Sequence, residues 1–351
     1  MELIDLKSML PDELESYLLS SGEPKFRAKQ IFSWLTKGVR TFDEMRNIPK
    51  TLRDRLAADT YINSLKMLQK QVSRQDGTTK YLWELRDGNA VETVVMRYDY
   101  GLSVCISSQV GCRQGCAFCA STIGGLVRNL TPSEMLDEVL YSQLDQGERI
   151  SHIVLMGIGE PLENYDAVLR FLRLVNHPDG LNIGMRHIAL STCGITEKID
   201  ALAGEDLQIT LAVSLHAPDD ATRDRLMPVN HGRGVDAVID ACERYYVKTG
   251  RRISFEYAMI NEVNDSPEQA ELLSALARKA RAHINLIPLN HVEERSFSPS
   301  APERLEAFCR ILSKNGTNYT IRRSLGGDVD ASCGQLRRKR EIKRARDVAQ
   351  D

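Results

Sequence analysis

Long apolar runs are missing from these 351 residues. No stretch approaches the roughly 18 residues of a membrane span, so none is expected. The opening MELIDLKSML lacks the basic-then-apolar layout of a secretory signal. Cysteine is scarce, with eight in the chain, far below the density of a disulfide scaffold. A reducing cytoplasm is the expected compartment, where clustered cysteines point to metal or catalysis. Aromatic residues make up only 6%, yet hydrophobics reach 42% and charged residues 27%. That is ordinary globular composition and excludes a largely disordered chain. The length allows roughly two domains, or one large domain with additions, and enough buried surface to need no staples.

The chain also has little net charge, −2, but that value is an average. Residues 337–346 (RRKREIKRAR) carry +6, which leaves −8 on the rest. A basic tail on an acidic body is a handle for a polyanion, although a solvated helix end has the same composition.

Residues 1–60 read as short helices. Phe26, Ile31, Phe32, Trp34 and Leu35 interleave with Lys25, Arg27, Lys29 and Lys37, as in a core-facing amphipathic helix or a small RNA-binding appendage. Over residues 79–109 the period shortens. Tyr81, Trp83 and Leu85 alternate, Asp87-Gly88 supplies a hairpin turn, and Val91, Val94 and Val95 follow. From about residue 102, strand and helix signals alternate. Strands are expected at 102–108, 152–157, 186–191, 209–215, 253–259 and 283–288. Thr131-Pro132-Ser133-Glu134 and Ser266-Pro267-Glu268-Gln269 read as capping boxes with proline at the first helical position. Leu136, Val139, Leu140 and Leu144 predict the apolar stripe of one helix. Six β/α repeats imply a parallel sheet, open or curved into an incomplete barrel, with its chemistry at the C-terminal ends of the strands.

Directly after the first repeat strand comes Cys112-Arg-Gln-Gly-Cys116-Ala-Phe-Cys119, three potential thiolates at C-x3-C-x2-C spacing. A structural zinc site would need a fourth ligand, with Cys105 or a histidine as candidates. A [4Fe–4S] cluster held by three cysteines leaves one iron open to a small molecule. Gly157-Ile158-Gly159-Glu160-Pro161 follows the second strand, where a carboxylate would suit an ammonium ligand. Ser191, Ser214, His216 and Asn290 stand at the ends of later strands, on the same rim. Cys242 and Cys309 lie on apolar helix stripes and read as core. Cys193, in Ser-Thr-Cys-Gly beside the rim, stays unassigned. Cys333 stands on the polar segment Asp330-Ala-Ser-Cys333-Gly334-Gln335-Leu336.

The cysteine spacing and the G-x-G-E-P segment resemble the radical S-adenosylmethionine (SAM) superfamily. Cys105, the late A-x-C-G-Q-L, and the stretches ISSQVG (106–111), RNL (128–130) and SLHAP (214–218) narrow the resemblance to the RlmN/Cfr group of RNA adenosine methyltransferases, most like its C2 branch. The resemblance implies a partial (β/α)6 barrel with an N-terminal helical appendage and a β-hairpin extension. It divides the chain into residues 1–60, 61–97, 98–328 and 329–351. It implies a [4Fe–4S] cluster on Cys112, Cys116 and Cys119. It also implies SAM, two molecules per turnover, held by Gly159, Glu160, Ser191, Ser214, Leu215, His216 and Asn290. Adenine C2 and C8 are electron-poor carbons with no lone pair to attack a methylsulfonium, so a radical route is required. Within that route the resemblance implies that Cys333 carries the methyl carbon to the ring and Glu92 accepts the ring proton. Cys105 then attacks the Cys333 sulfur, leaving a Cys105–Cys333 disulfide.

The implied substrates are an adenosine of 23S rRNA at the peptidyl-transferase centre and the adenosine 3′ to the anticodon in some tRNAs. An electron donor such as flavodoxin, a monomeric state and no membrane partner are likewise implied. Two alternatives remain open at this point. One is methylation at C8, as in the Cfr resistance branch. The other is a non-catalytic RNA-binding protein with a structural metal centre.

Overall fold

The computed structural model describes residues 3–290, 292–323, 325–329, 336–337 and 340. Cys333 and most of the basic tail lie outside the described residues. The helical spacing near the N-terminus becomes α1 (Pro11–Ser20), α2 (Phe26–Leu35) and α3 (Lys50–Asp59). Short strands β1 (Ile4–Asp5) and β2 (Thr60–Tyr61) pair in parallel and join the two ends of this unit. In α2, Ile31, Phe32 and Leu35 are buried, whereas Phe26 faces solvent.

An antiparallel ribbon follows: β3 (Lys66–Val72), β4 (Thr79–Glu84) and β5 (Ala90–Tyr98). The Asp87-Gly88 turn forms between β4 and β5, with Gly88 at φ 80°, where a side chain would be strained. Strand β3 adds to the expected hairpin. Its residues are almost all exposed, so it carries no apolar alternation to announce it.

β5 then pairs antiparallel with β6 (Gly101–Cys105), the first strand of the repeats. Beside β6 in parallel runs β9 (Ile150–Leu155), then β10 (Ile188–Thr192), β11 (Thr210–Ser214), β12 (Ser254–Met259), β13 (His283–Pro288) and β14 (Tyr319–Ile321). Among the described residues the parallel run therefore has a seventh, short strand beyond the six expected. Among the described residues, parallel run and ribbon form one ten-stranded sheet that ends at β14 and β3. The connecting helices are α4 (Pro132–Gln146), α5 (Tyr165–Asn176), α6 (Thr196–Leu202), α7 (Asp220–Leu226), α8 (Val235–Thr249), α9 (Pro267–Lys279) and α10 (Pro302–Lys314). Between β6 and α4, a small hairpin of β7 (Gln109–Gly111) and β8 (Leu126–Asn129) frames the cysteine loop.

Both capping boxes form. Glu134 N donates to Thr131 Oγ1 and Thr131 N to Glu134 Oε2, at 3.2 and 2.9 Å. Gln269 N and Ser266 exchange the equivalent pair. The expected stripe of α4 is corrected at its end. Leu136, Val139 and Leu140 are buried, but Leu144 is 51% exposed. Leu144 lies instead over Gly38, where a Cβ would come within 2.6 Å of it. The first repeat strand is also shorter than expected and ends at Cys105. Past Cys105 the regular pairing gives way to bonds with the end of β9 and the loop after it: Ile106 N donates to the Val154 carbonyl, Gly157 N to the Ile106 carbonyl and Ser108 N to the Ile158 carbonyl. A Cβ on Gly157 would stand 2.5 Å from the Ile106 carbonyl oxygen.

One continuous core runs from Leu6, Leu14 and Ile31 through Val139 to the barrel strands. A buried ion pair crosses the same boundary, with Lys7 Nζ 2.7 Å from Asp137 Oδ1 and 2.8 Å from the Asn63 carbonyl oxygen. Asp137→Ala should destabilise the fold by about 3–5 kcal/mol by stranding the ammonium, whereas Lys7→Met with Asp137→Leu should recover most of that loss. Urea denaturation of the three proteins checks this. Equal losses in the single and the double variant would refute it.

Candidate active site

Two surfaces meet at the top of the sheet. The first is a cavity of about 200 Å³ lined by Cys112, Cys116 and Cys119 on one side. Gly159, Glu160, Ser191, Ser214 and His216 line it from the strand ends. The loop that brings the thiols there is tied down locally. Ala117 N donates to the Leu226 carbonyl, and Arg295 donates to the Cys119 carbonyl and Thr122 Oγ1. Burial pushes the Cys112 thiol up to about 12, and burial also raises the Cys116 thiol. Only a strongly positive group would draw such thiols into their ionised form.

The residues present fit a cluster with a small-molecule ligand. Among the described residues, no three His, Cys, Asp or Glu side chains close around a single ion. All three thiols instead line the one cavity. Ser121, also lining the cavity, has a buried hydroxyl with no hydrogen-bond partner among the described residues. Gly159 has φ 110°, and a Cβ there would lie 2.6 Å from the Gln109 side chain. The bare backbone therefore lets Gln109 accept from Glu160 N at 2.8 Å.

Glu160 is fixed through both oxygens. Oε1 accepts from Leu162 N at 3.0 Å and Oε2 from Cys193 N at 2.7 Å. The second bond gives Cys193 a position in the site, through its backbone. Burial outweighs these bonds and raises the Glu160 carboxyl. The Ser191 and Ser214 hydroxyls lie 3.3 Å apart. His216 has φ 54°, and its Nδ1 accepts from Ala258 N at 3.0 Å. The neutral ring therefore carries its hydrogen on Nε2. The edge of Phe118 meets this ring, with centroids 4.9 Å apart. Leu215 is fully buried in the core and does not line the cavity. Asn290 is exposed and does not line it either.

The second surface is one face of the antiparallel ribbon. Strand partners share a face, as do residues two apart on one strand. Leu82 pairs with Glu92, Lys80 with Val94, and Val94 with Cys105. Glu92 and Cys105 therefore stand on the same face. The other face holds Tyr81, Trp83, Val95 and Val104 in the main core. Glu92 is only 3% exposed, contrary to the ordinary expectation for an acidic strand residue. Its Oε1 accepts from Arg337 N at 2.6 Å. Leu336 packs on Leu82 and Ala90 beside it.

A buried network joins the two surfaces. Trp83 Nε1 donates to Thr93 Oγ1, and Thr93 Oγ1 to Glu138 Oε2. Ser107 N donates to the same carboxylate, while the Ser107 hydroxyl bonds the Glu92 carbonyl and Ile158 N. Burial raises the Glu138 carboxyl well above the usual range.

Sequence reasoning missed several residues here. Arg223 is buried and donates to the carbonyls of Cys193, Ser214 and Leu215 and to Asn230 Oδ1. Glu256 and Arg322 also line the cavity. None had a local signal, since an arginine on a helix or a glutamate on a strand reads as solvent-facing by default.

Residues 106–319 match the family model of the radical SAM superfamily. Residues 4–62 match that of the ribosomal RNA large subunit methyltransferase N-terminal domain. The chain is 53% identical to a probable dual-specificity RNA methyltransferase RlmN of Alkaliphilus oremlandii, covering 97% of this chain and 99% of that protein. With the like-named protein of Symbiobacterium thermophilum identity is 52%, over 96% and 92% of the two chains. A crystal structure of a radical SAM methyltransferase from Sphaerobacter thermophilus superposes with a TM-score of 0.89 at 42% identity, covering 95% of this chain and 98% of that one.

Burial pushes His216 down to about 3, against an ordinary value of 6.5. The native state thus refuses a proton that the unfolded chain accepts. Its contribution to stability is complete above 6.5 and is lost as pH falls from there toward 3. Thermal melts between roughly pH 7 and pH 5 should decline less steeply for His216→Gln than for the parent. Parallel curves would contradict this.

Proposed function

Because the chain belongs to the radical SAM superfamily, and within it to the RlmN-type RNA methyltransferases, we propose that it methylates C2 of an adenosine in two RNAs. These are 23S rRNA at the peptidyl-transferase centre and tRNA at the adenosine 3′ to the anticodon. When bound, a [4Fe–4S] cluster and SAM supply the methyl group and the carbon-centred radical that an electron-poor ring carbon requires. Cys112, Cys116 and Cys119 hold the cluster. Gly159, Glu160, Ser191, Ser214 and His216 hold SAM, with the Glu160 carboxylate facing its ammonium, whereas Leu215 and Asn290 stand off the cavity. Cys333 carries the methyl carbon, and Glu92 accepts the ring proton. Cys105 attacks the Cys333 sulfur, so that an S–S bond forms as the S–C bond to the product breaks.

The observation that carries this reading is Met156. It lines the thiol cavity and also packs against the cluster of Val94, Met96 and Cys105. One side chain thus borders both the cavity and the cluster that holds the proposed resolving thiol. The anchoring of Leu336 and Arg337 beside Glu92 adds support, because Cys333 stands only three residues before Leu336. The target base must be unstacked to enter, which single-stranded loops permit at low cost. The basic tail and the N-terminal helices are the proposed RNA contacts. A cytoplasmic monomer reduced by a donor such as flavodoxin completes the proposal.

The anaerobically reconstituted protein should convert adenosine in both RNAs to 2-methyladenosine, read by mass spectrometry of the digested RNA. 8-Methyladenosine would overturn the C2 assignment. Cys112→Ala should lose iron and SAM cleavage together. Cys105→Ala should stall with RNA bonded to Cys333 through one methylene carbon, seen as a protein–RNA adduct on a denaturing gel. Cys333→Ala should give no adduct, and an adduct there would refute the roles assigned to the two thiols.

A further inference from the structure

The ribbon face that carries Glu92 and Cys105 also carries a lysine that the proposed chemistry does not use. Lys80 is fully buried, and its Nζ lies 2.9 Å from Glu92 Oε2. On β4 it stands opposite Val94, which stands opposite Cys105 on β6. Ammonium, carboxylate and thiol therefore share one face of three adjacent strands. Burial alone does not mark a functional lysine, since Lys7 is equally buried in its pair with Asp137. What distinguishes Lys80 is the surroundings of its partner. The second Glu92 oxygen is held by Arg337 N at 2.6 Å, in the segment that follows Cys333.

Two charges in such a place cost several kcal/mol each in lost hydration, and an apolar pair of the same shape is commonly as stable or more so. The reverse face of the same strands is filled in that way, with Tyr81, Trp83 and Val95 in the core. Stability by itself would favour a similar solution around Lys80. We infer that Lys80 is the positioning residue of the proton acceptor: its ammonium keeps the Glu92 carboxylate charged and fixes Oε2 in a place closed to water. A carboxylate buried without a cation favours its protonated form, and that form cannot take a proton from the ring. Lys80 touches no reacting atom in this role and acts through Glu92. The inference rests on the reading of Glu92 as proton acceptor.

The test uses the reconstituted holoprotein, SAM and the methyl-accepting RNA under anaerobic single-turnover conditions. In Lys80→Met, loading of the methyl group and SAM cleavage should proceed as in the parent. Decay of the protein–RNA adduct should slow by about 10- to 100-fold, a part of the roughly 100- to 10,000-fold by which a positioned base accelerates proton transfer. Lys80→Arg, which keeps the charge, should recover most of that rate, and a purely structural lysine would show no such charge dependence. Glu92→Gln should accumulate the same adduct, and adding Lys80→Met to it should slow decay no further. Iron content and a thermal melt establish folding. If Lys80→Met fails to fold, Lys80→Arg and the double variant, which removes both charges, still carry the comparison.

If Glu92→Gln resolves the adduct at the parental rate, the reading of Glu92 itself fails. If Glu92→Gln accumulates adduct while Lys80→Met resolves it normally, the role of Lys80 alone is overturned. Further slowing in the double variant also overturns it.

Discussion

The antiparallel pairing of β5 with β6 is the contact on which the rest of the site depends. It welds the ribbon to the parallel strands, and its register, Val94 opposite Cys105, decides which side chains face which way. A slip of one residue would send every group to the other face of the sheet. Glu92 and Lys80 would then enter the apolar core now filled by Trp83 and Val95. The cost of carrying two charged side chains into that apolar core makes the observed register strongly preferred.

Close backbone approach supplies the second constraint. The Gly157–Gly159 loop can cross Ile106 and Gln109 only because neither glycine has a Cβ. That crossing lies just past the end of β6, ahead of the cysteine loop. It also delivers Glu160 to the cavity. Arg223 clamps the neighbouring strand ends by donating to three carbonyls at once. Side chains at this rim are thus held by backbone groups, which tolerate little drift.

Four buried carboxylates around the site show how environment divides one chemistry into several roles. Glu138 bonds a hydroxyl and a backbone N–H and ties the strand carrying Glu92 to the Ile158 loop through Ser107. Glu160 bonds two backbone N–H groups and lines the cavity. Glu256 accepts from Ser254 and Asn285 on the opposite wall. Glu92 alone of these four has a lysine ammonium at 2.9 Å. Burial raises the first three, which favours holding a proton or meeting a cation.

Much of this was legible in the sequence because it is written in local chemistry. The capping boxes at Thr131 and Ser266, the Asp87-Gly88 turn, the strand–helix alternation and the C-x3-C-x2-C loop each depend on neighbours within a few residues. The rim positions Glu160, Ser191, Ser214 and His216 followed from one rule, that strand ends of a parallel sheet carry the chemistry. What local pattern could not reveal was set by contacts between distant segments. Arg223 and Glu138 look like solvent-facing residues until the fold surrounds them, and β3 has no apolar period because its residues on both faces are almost all exposed. Leu144 keeps the helical spacing of its stripe, yet it is half exposed and meets Gly38 instead. The burial of Lys80 beside Glu92 belongs to the same class. Spacing along the chain determines which residue types lie on one element, but which charges lose their water and find each other is decided only when separate elements close over them.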